Sequence, residues 1–290
     1  MRHFVILLMF AAVSACEQPG IVETRPIVTA TAASVTFDGG DYADEVGKLA
    51  HGKRLDTLFG CNACHGPDHS GVNFGEMIPI VDGLWASNIS REMPKLSDAQ
   101  LERLLRDGIH PSREIYVMPS KQTQFLSARD MDALIAHLRT IPPTGEPTPL
   151  PPKDFEAAVT ARLPDDYWRT QLEGEKRGYH NAQEEVAYFA AHRLPDLGPH
   201  LARGRMIASS LCSTCHGAEL NGIGEPAGNI HGALAYDDAA FNRLLTESVD
   251  RTGKQVKVEW GFGHEAQPLT SAERRDVIAY VRALARIRAN

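Results

Sequence analysis

Cysteine and histidine recur in this chain at one fixed spacing, Cys61-Asn62-Ala63-Cys64-His65 and again Cys212-Ser213-Thr214-Cys215-His216. On a turn of helix, positions i, i+3 and i+4 share a face, so two thiols and an imidazole point the same way. The two residues between the cysteines lie off that face and are free to vary. Thiols so placed can add to the two vinyl groups of a haem while the imidazole reaches the iron from one side. A thioredoxin-like redox pair needs no adjacent histidine. A four-cysteine zinc site would have to join CxxC units 151 positions apart, well beyond finger spacing. The spacing therefore predicts two covalent haem c groups, held through Cys61, Cys64, Cys212 and Cys215, with His65 and His216 as proximal iron ligands.

The stretches around each motif must hold it in place. Between Asp44 and Cys61, the residues Val46, Leu49, Leu55, Leu58 and Phe59 recur at roughly helical intervals, so a helix runs into the first motif. Gly66 lets the chain turn away, and a loop from Asp68 to Pro94 covers the haem edge. Ser97-Asp98-Ala99-Gln100 is a capping box that opens a helix through Leu101, Leu104 and Leu105. A second loop carries Tyr116-Val117-Met118-Pro119, and Ser127 caps a last helix through Met131, Leu134, Ile135 and Leu138. The pattern then repeats. A helix through Leu201, Met206, Ile207 and Leu211 enters Cys212. Asp98-Ala99 and Arg103-Leu104-Leu105 recur as Asp238-Ala239 and Arg243-Leu244-Leu245, an offset of 140. Leu126 matches Leu269, and Thr270-Ser271-Ala272-Glu273 is a capping box for a closing helix through Val277, Ile278 and Val281.

This order of helix, haem motif, loop, helix, methionine loop and helix resembles the class I cytochrome c domain. The resemblance spans Val46 to Ile141 and, less fully, His200 to Ile287. It implies an all-α fold, two tandem class I domains whose first and last helices cross. It also implies Met118 as the ligand facing His65 across the first haem, and Pro79 as the residue whose carbonyl supports the His65 imidazole. Met118 lies 57 positions after Cys61, while Met77, Met93 and Met131 are less well placed. A soft thioether favours ferrous iron and raises the potential. The second copy departs here. Carrying Met118 across by 140 or 143 lands on Val258 or Gly261, and no methionine follows Met206. His264, 52 positions after Cys212, would make a bis-histidine site of lower potential. His231, or water, or nothing at all are the other occupants of that position.

Length and composition bound the rest. The 290 residues allow two ordinary domains, and 43% hydrophobic with 23% charged residues suits a globular protein. The net charge of −7 becomes −8 without Arg2, the only Lys or Arg of the leader, which argues against a nucleic-acid partner. Residues 1–15 have the layout of a secretory signal, too short in its apolar run to span a bilayer. Val13-Ser14-Ala15-Cys16 resembles the bacterial lipoprotein signal, which implies cleavage before Cys16 and lipidation of that cysteine. We divide the chain into the signal (1–15), a flexible tether (16–43), domain 1 (44–141), a Pro-rich and partly helical linker (142–199) and domain 2 (200–290). Within the linker, Tyr167, Trp168, Tyr188 and Phe189 are expected to pack.

The expected function is electron transfer by a membrane-anchored dihaem lipoprotein in the periplasm of a Gram-negative bacterium. It looks similar to the tandem cytochromes that accept electrons from periplasmic dehydrogenases and pass them to an oxidase, a small cytochrome or a quinone pool. If the second iron is open, a dihaem peroxidase-like enzyme or a gas-binding protein is the alternative.

Overall fold

The computed structural model describes residues 33–162, 181–222, 228–256 and 263–289. Helix Glu45–Leu58 opens on Asp44, whose carboxylate accepts from the Gly47 amide at 2.8 Å. It crosses helix Ala128–Arg139, which opens on Ser127, whose hydroxyl accepts from the Asp130 amide at 3.0 Å. The crossing is tight because Gly52 lies against it: a Cβ there would stand 2.0 Å from the Ala133 carbonyl oxygen. In the second domain, helices Ala202–Ile207 and Ser271–Ala289 meet at Gly204, where a Cβ would stand 2.1 Å from the Asp276 carbonyl. These glycines precede the first cysteine of their motifs by nine and eight positions. Gly52→Ala gains up to ~1 kcal/mol of helix propensity but must push two backbones apart, so a net loss of about 1–3 kcal/mol is expected. Chemical denaturation reads it; an unchanged midpoint would mean the helices separate freely.

The packing face of the first helix differs from the apolar spacing. Val46 is 78% exposed, and the buried set is His51, Gly52, Leu55, Asp56 and Leu58. Two of those polar residues are buried because they are paired. The His51 imidazole meets the Asp130 carboxylate at 2.7 Å, and Asp56 meets His69 at 2.8 Å.

Each motif must be turned relative to the helix that leads into it, and the two domains do this differently. In the first, Gly60 adopts a left-handed conformation at φ 68° before helix Cys61–His65. In the second, no glycine interrupts, and a π-helical stretch, Ala208–Cys212, leads straight into Ser213–His216. Downstream, helices Asp98–Asp107 and Asp238–Glu247 keep the 140-residue offset, and both stop on a left-handed residue, Gly108 and Ser248. Both expected capping boxes form: Ser97 with Gln100, and Thr270 with Glu273 at 2.8 and 3.1 Å.

Two connecting stretches differ from expectation. Of the expected tether, residues 16–32 lie outside the described residues, but 33–43 pack onto the domains. Phe37 is fully buried, edge-on to Phe59, and its amide donates to Asp130 at 3.3 Å. The Pro-rich stretch is extended, yet it is a strap rather than a spacer. The buried Asn88 amide group donates to the Thr144 and Glu146 carbonyls at 2.7 and 2.9 Å, and the Asn88 backbone N–H donates to the Thr148 hydroxyl at 3.2 Å. Helix Phe155–Arg162 then packs Phe155 and Val159 against Phe74, Val81 and Leu84. Helix Ala182–Ala191 buries Phe189 beside Phe125, with Tyr188 against them; Tyr167 and Trp168 lie outside the described residues.

The two domains share one apolar cluster, from Phe37, Leu58 and Leu134 through Leu194 to Ile207, Leu211 and Leu284. A polar clasp lies over it. Fully buried Glu273 accepts from the Arg54 guanidinium and from the Asp38 amide at 2.9 Å, while the Asp38 carboxylate accepts from Arg203 and the Thr270 hydroxyl.

Candidate functional site

The first motif opens onto a cavity of about 540 Å³, within the range of roughly 300–1,000 Å³ usual for cofactor pockets. Cys61, Cys64, His65 and Met118 all line it, and Phe74, Leu84, Leu101 and Leu104 give it apolar walls. Burial pushes the Cys61 and Cys64 thiols above the ordinary thiol range, and none of the four described cysteines is in a disulfide. Burial also lowers the His65 imidazole below its ordinary pKa, so the ring is neutral. Its Nδ1–H donates to a backbone carbonyl at 2.7 Å, which leaves Nε2 with a free lone pair. That carbonyl belongs to Ser87, not to Pro79. Pro79 starts a 3₁₀ turn, Pro79–Val81, while the hairpin strand Trp85–Ala86, paired with Val72–Asn73, delivers Ser87 to the ring. Arg113 holds the same serine by donating to its hydroxyl at 3.0 Å.

The Met118 loop is backbone-strained at the residue before it, where the β-branched Val117 has φ 63°. His110 also lines the cavity and keeps its buried Nε2 without a protein partner. Two thiols, a neutral imidazole, a thioether, apolar walls and an orphaned donor or acceptor fit a haem. Pro147, Thr148, Pro149, Leu150 and Pro151 of the strap line the cavity as well. Asn88→Ala removes the amide that pins the strap, leaving two carbonyls to find water. The expected result is a loss of about 1–3 kcal/mol and faster proteolysis within 142–152, with unchanged proteolysis as the contrary outcome.

In the second domain, the His216 Nδ1–H donates to the Gly228 carbonyl at 2.7 Å, and burial lowers its pKa. Facing it is His264, in the turn His264–Ala266, with its pKa pushed down to about 4 by burial and by the neighbouring His216. The two rings are parallel within 13° and their centroids are 6.2 Å apart. That is too far for stacking contact. Two imidazoles binding one metal from opposite sides, with metal–nitrogen distances of about 2.0 Å, hold their centroids about 6.3 Å apart. The buried Nδ1 of His264 has no protein partner. The turn is pinned from outside, since the Ser248 hydroxyl donates to the Glu265 carboxylate. His231 is exposed on the turn Ile230–Ala235, and Val258 and Gly261 lie outside the described residues. The His216–His264 pair fits the axial positions of a haem.

One element went unread in the sequence. Helix Ser120–Thr123 follows Met118-Pro119 at once and consists of four polar residues, all of them buried. Each side chain is used. Ser120 and Thr123 donate to the Leu104 and Leu105 carbonyls, Lys121 pairs with Glu185 at 2.9 Å, and the Gln122 amide donates to the Thr214 hydroxyl at 2.7 Å. A run of Ser, Lys, Gln and Thr in a loop has no signal that separates such a bolt from solvated surface.

Two sequence families match the chain. Residues 50–138 match the family described as cytochrome c oxidase, cbb3-type, subunit III, and residues 201–285 match the family described as cytochrome c. A comparison with curated proteins gives no match. Each family match contains one CxxCH unit together with the helices that cross beside it, and the chain is therefore an all-α tandem of two cytochrome c domains, an electron-transfer protein whose cofactor is covalently bound haem c.

Proposed function

We propose that the chain carries two haems and relays electrons between redox partners in the periplasm, anchored to the membrane through lipidated Cys16. The observation that carries the relay reading is the His216–His264 pair, parallel at a separation that fits two axial ligands, together with Met118 in the cavity of His65. Met118 beside His65, and His264 beside His216, would hold a haem iron from a second side in each domain, which suits electron exchange without binding a substrate at iron. The haem supplies a ferric–ferrous cycle of one electron. The chain attaches it through Cys61 and Cys64, or Cys212 and Cys215, sets the proximal rings through Ser87 and Gly228, and keeps water away with the apolar walls and the strap.

The unlike sixth ligands order the two sites. The thioether of Met118 makes the first haem the higher-potential one, and the imidazole of His264 makes the second the lower, so electrons run from domain 2 to domain 1. The likeness of domain 1 to a subunit of a terminal oxidase supports delivery toward the oxidising end of a respiratory chain. A periplasmic dehydrogenase is the matching donor, and the acidic chain favours basic patches on its partners. The test is a redox titration of the holoprotein beside spectra of the reduced protein with and without carbon monoxide. Two separated potentials and no carbon monoxide binding are expected. Equal potentials would overturn the ordering, and binding to half the haem would restore the peroxidase-like or gas-binding alternative.

A further inference from the structure

The two cytochrome domains touch where one site's ligand loop meets the other site's attachment motif. Met118 is followed without a break by the buried turn 120–123, whose backbone folds back on the loop: the Ser120 amide donates to the Met118 carbonyl at 2.9 Å and the Gln122 amide to the Pro119 carbonyl at 2.8 Å. Gln122, 8% exposed, then reaches across the interface and donates its side-chain N–H to the Thr214 hydroxyl at 2.7 Å. Thr214 is an inner residue of the second CxxCH unit, bonded directly to Cys215, with His216 next along the chain. The spacing rule leaves that position free for haem attachment, so attachment alone does not account for a hydroxyl placed on a buried amide.

We propose that Gln122 and Thr214 form the electronic bridge between the two sites. This rests on the relay reading above. Electron tunnelling decays less steeply along covalent bonds and short hydrogen bonds than across a van der Waals gap, and 2.7 Å is at the short end of the hydrogen-bond range. The route runs from the Cys215 attachment through the Thr214 hydroxyl and the Gln122 amide, crosses by the Gln122 N–H to the Pro119 carbonyl, and ends at Met118. One electron leaves the ferrous second site, which becomes ferric, and the ferric first site becomes ferrous. No proton moves and no bond is made or broken. Gln122 and Thr214 are positioning residues: they touch neither iron.

The experiment is flash photoreduction of the oxidised holoprotein by a small flavin, following the exchange between the two haems at wavelengths that separate them. Both potentials are titrated in each variant so that a change in driving force is not read as a change in coupling. Thr214→Val, nearly the same shape without the hydroxyl, is expected to slow the exchange several-fold. Gln122→Leu should slow it alike, the double variant no further, and Thr214→Ser should keep the native rate. A second readout does not depend on transfer: the Gln122 side-chain amide hydrogens should exchange slowly with solvent in the native and Thr214→Ser proteins and faster in Thr214→Val. Native rates in both Thr214→Val and Gln122→Leu, with spectra and potentials intact, would overturn the bridge and leave the relay standing. No exchange between haems in the native protein would overturn the relay itself.

Discussion

A His264→Met variant is expected to raise the potential of the second haem on the order of 100 mV, toward that of the first. The imidazole is a harder donor that holds ferric iron, and the thioether is a softer one that favours ferrous iron, so the sign of the shift follows from the ligand alone. His264→Gly is the companion. It would leave the face of the haem opposite His216 without a side chain, and the reduced variant should bind carbon monoxide at half of its haem, where the native protein is expected to bind none. The neighbouring Glu265, which accepts from Ser248, stays in both variants, so the turn keeps its anchor. If His264→Gly binds no carbon monoxide and His264→Met leaves both potentials where they were, the ligand is another residue.

Glu273→Ala should be the most destabilising of the substitutions considered, by about 3–5 kcal/mol. The carboxylate is fully buried and serves three partners at once: the Thr270 amide at 2.8 Å, the Asp38 amide at 2.9 Å and the Arg54 guanidinium. Truncation leaves Arg54 facing a void and two amides without acceptors in a place water reaches poorly. The three partners come from three different parts of the chain, so the loss falls on the contact between domains as well as on the cap of the last helix. Denaturant unfolding followed separately at the two haems would show it, and a loss below about 1 kcal/mol would mean that the clasp is solvated and redundant.

The parts of this protein that were legible in its sequence are those written within a few residues. The Ser97 and Thr270 capping boxes close on partners three positions away, and the cysteine spacing needs only one turn of helix, so both could be read without knowing the fold. Carbonyl partners could not. Every residue carries one, and which of them meets His65 depends on where the 72–86 hairpin comes to rest, so Ser87 took the place expected for Pro79. The buried face of the first helix departs from its apolar pattern for a related reason. Apolar residues alone pointed to Val46, whereas His51 and Asp56 go inside because their partners, Asp130 and His69, arrive from 79 and 13 residues away. Gln122 and Lys121 stayed hidden on the same grounds: a polar side chain is read as wet until the long-range partner that dries it is known.

The shared core has a bearing on how such a chain can change. A protein built as two beads on a string can lose, swap or re-duplicate a bead, because each keeps its own interior. Here the apolar cluster runs unbroken from Phe37 and Leu58 to Leu211 and Leu284, and the segment before the first helix is clamped to the last helix of the other half. Cutting between the halves would strip both of interior surface. The tandem that the repeat records has given up its modularity, and each half can now drift in the residues it offers its cofactor, Met118 in one and His264 in the other, only within limits set by its neighbour.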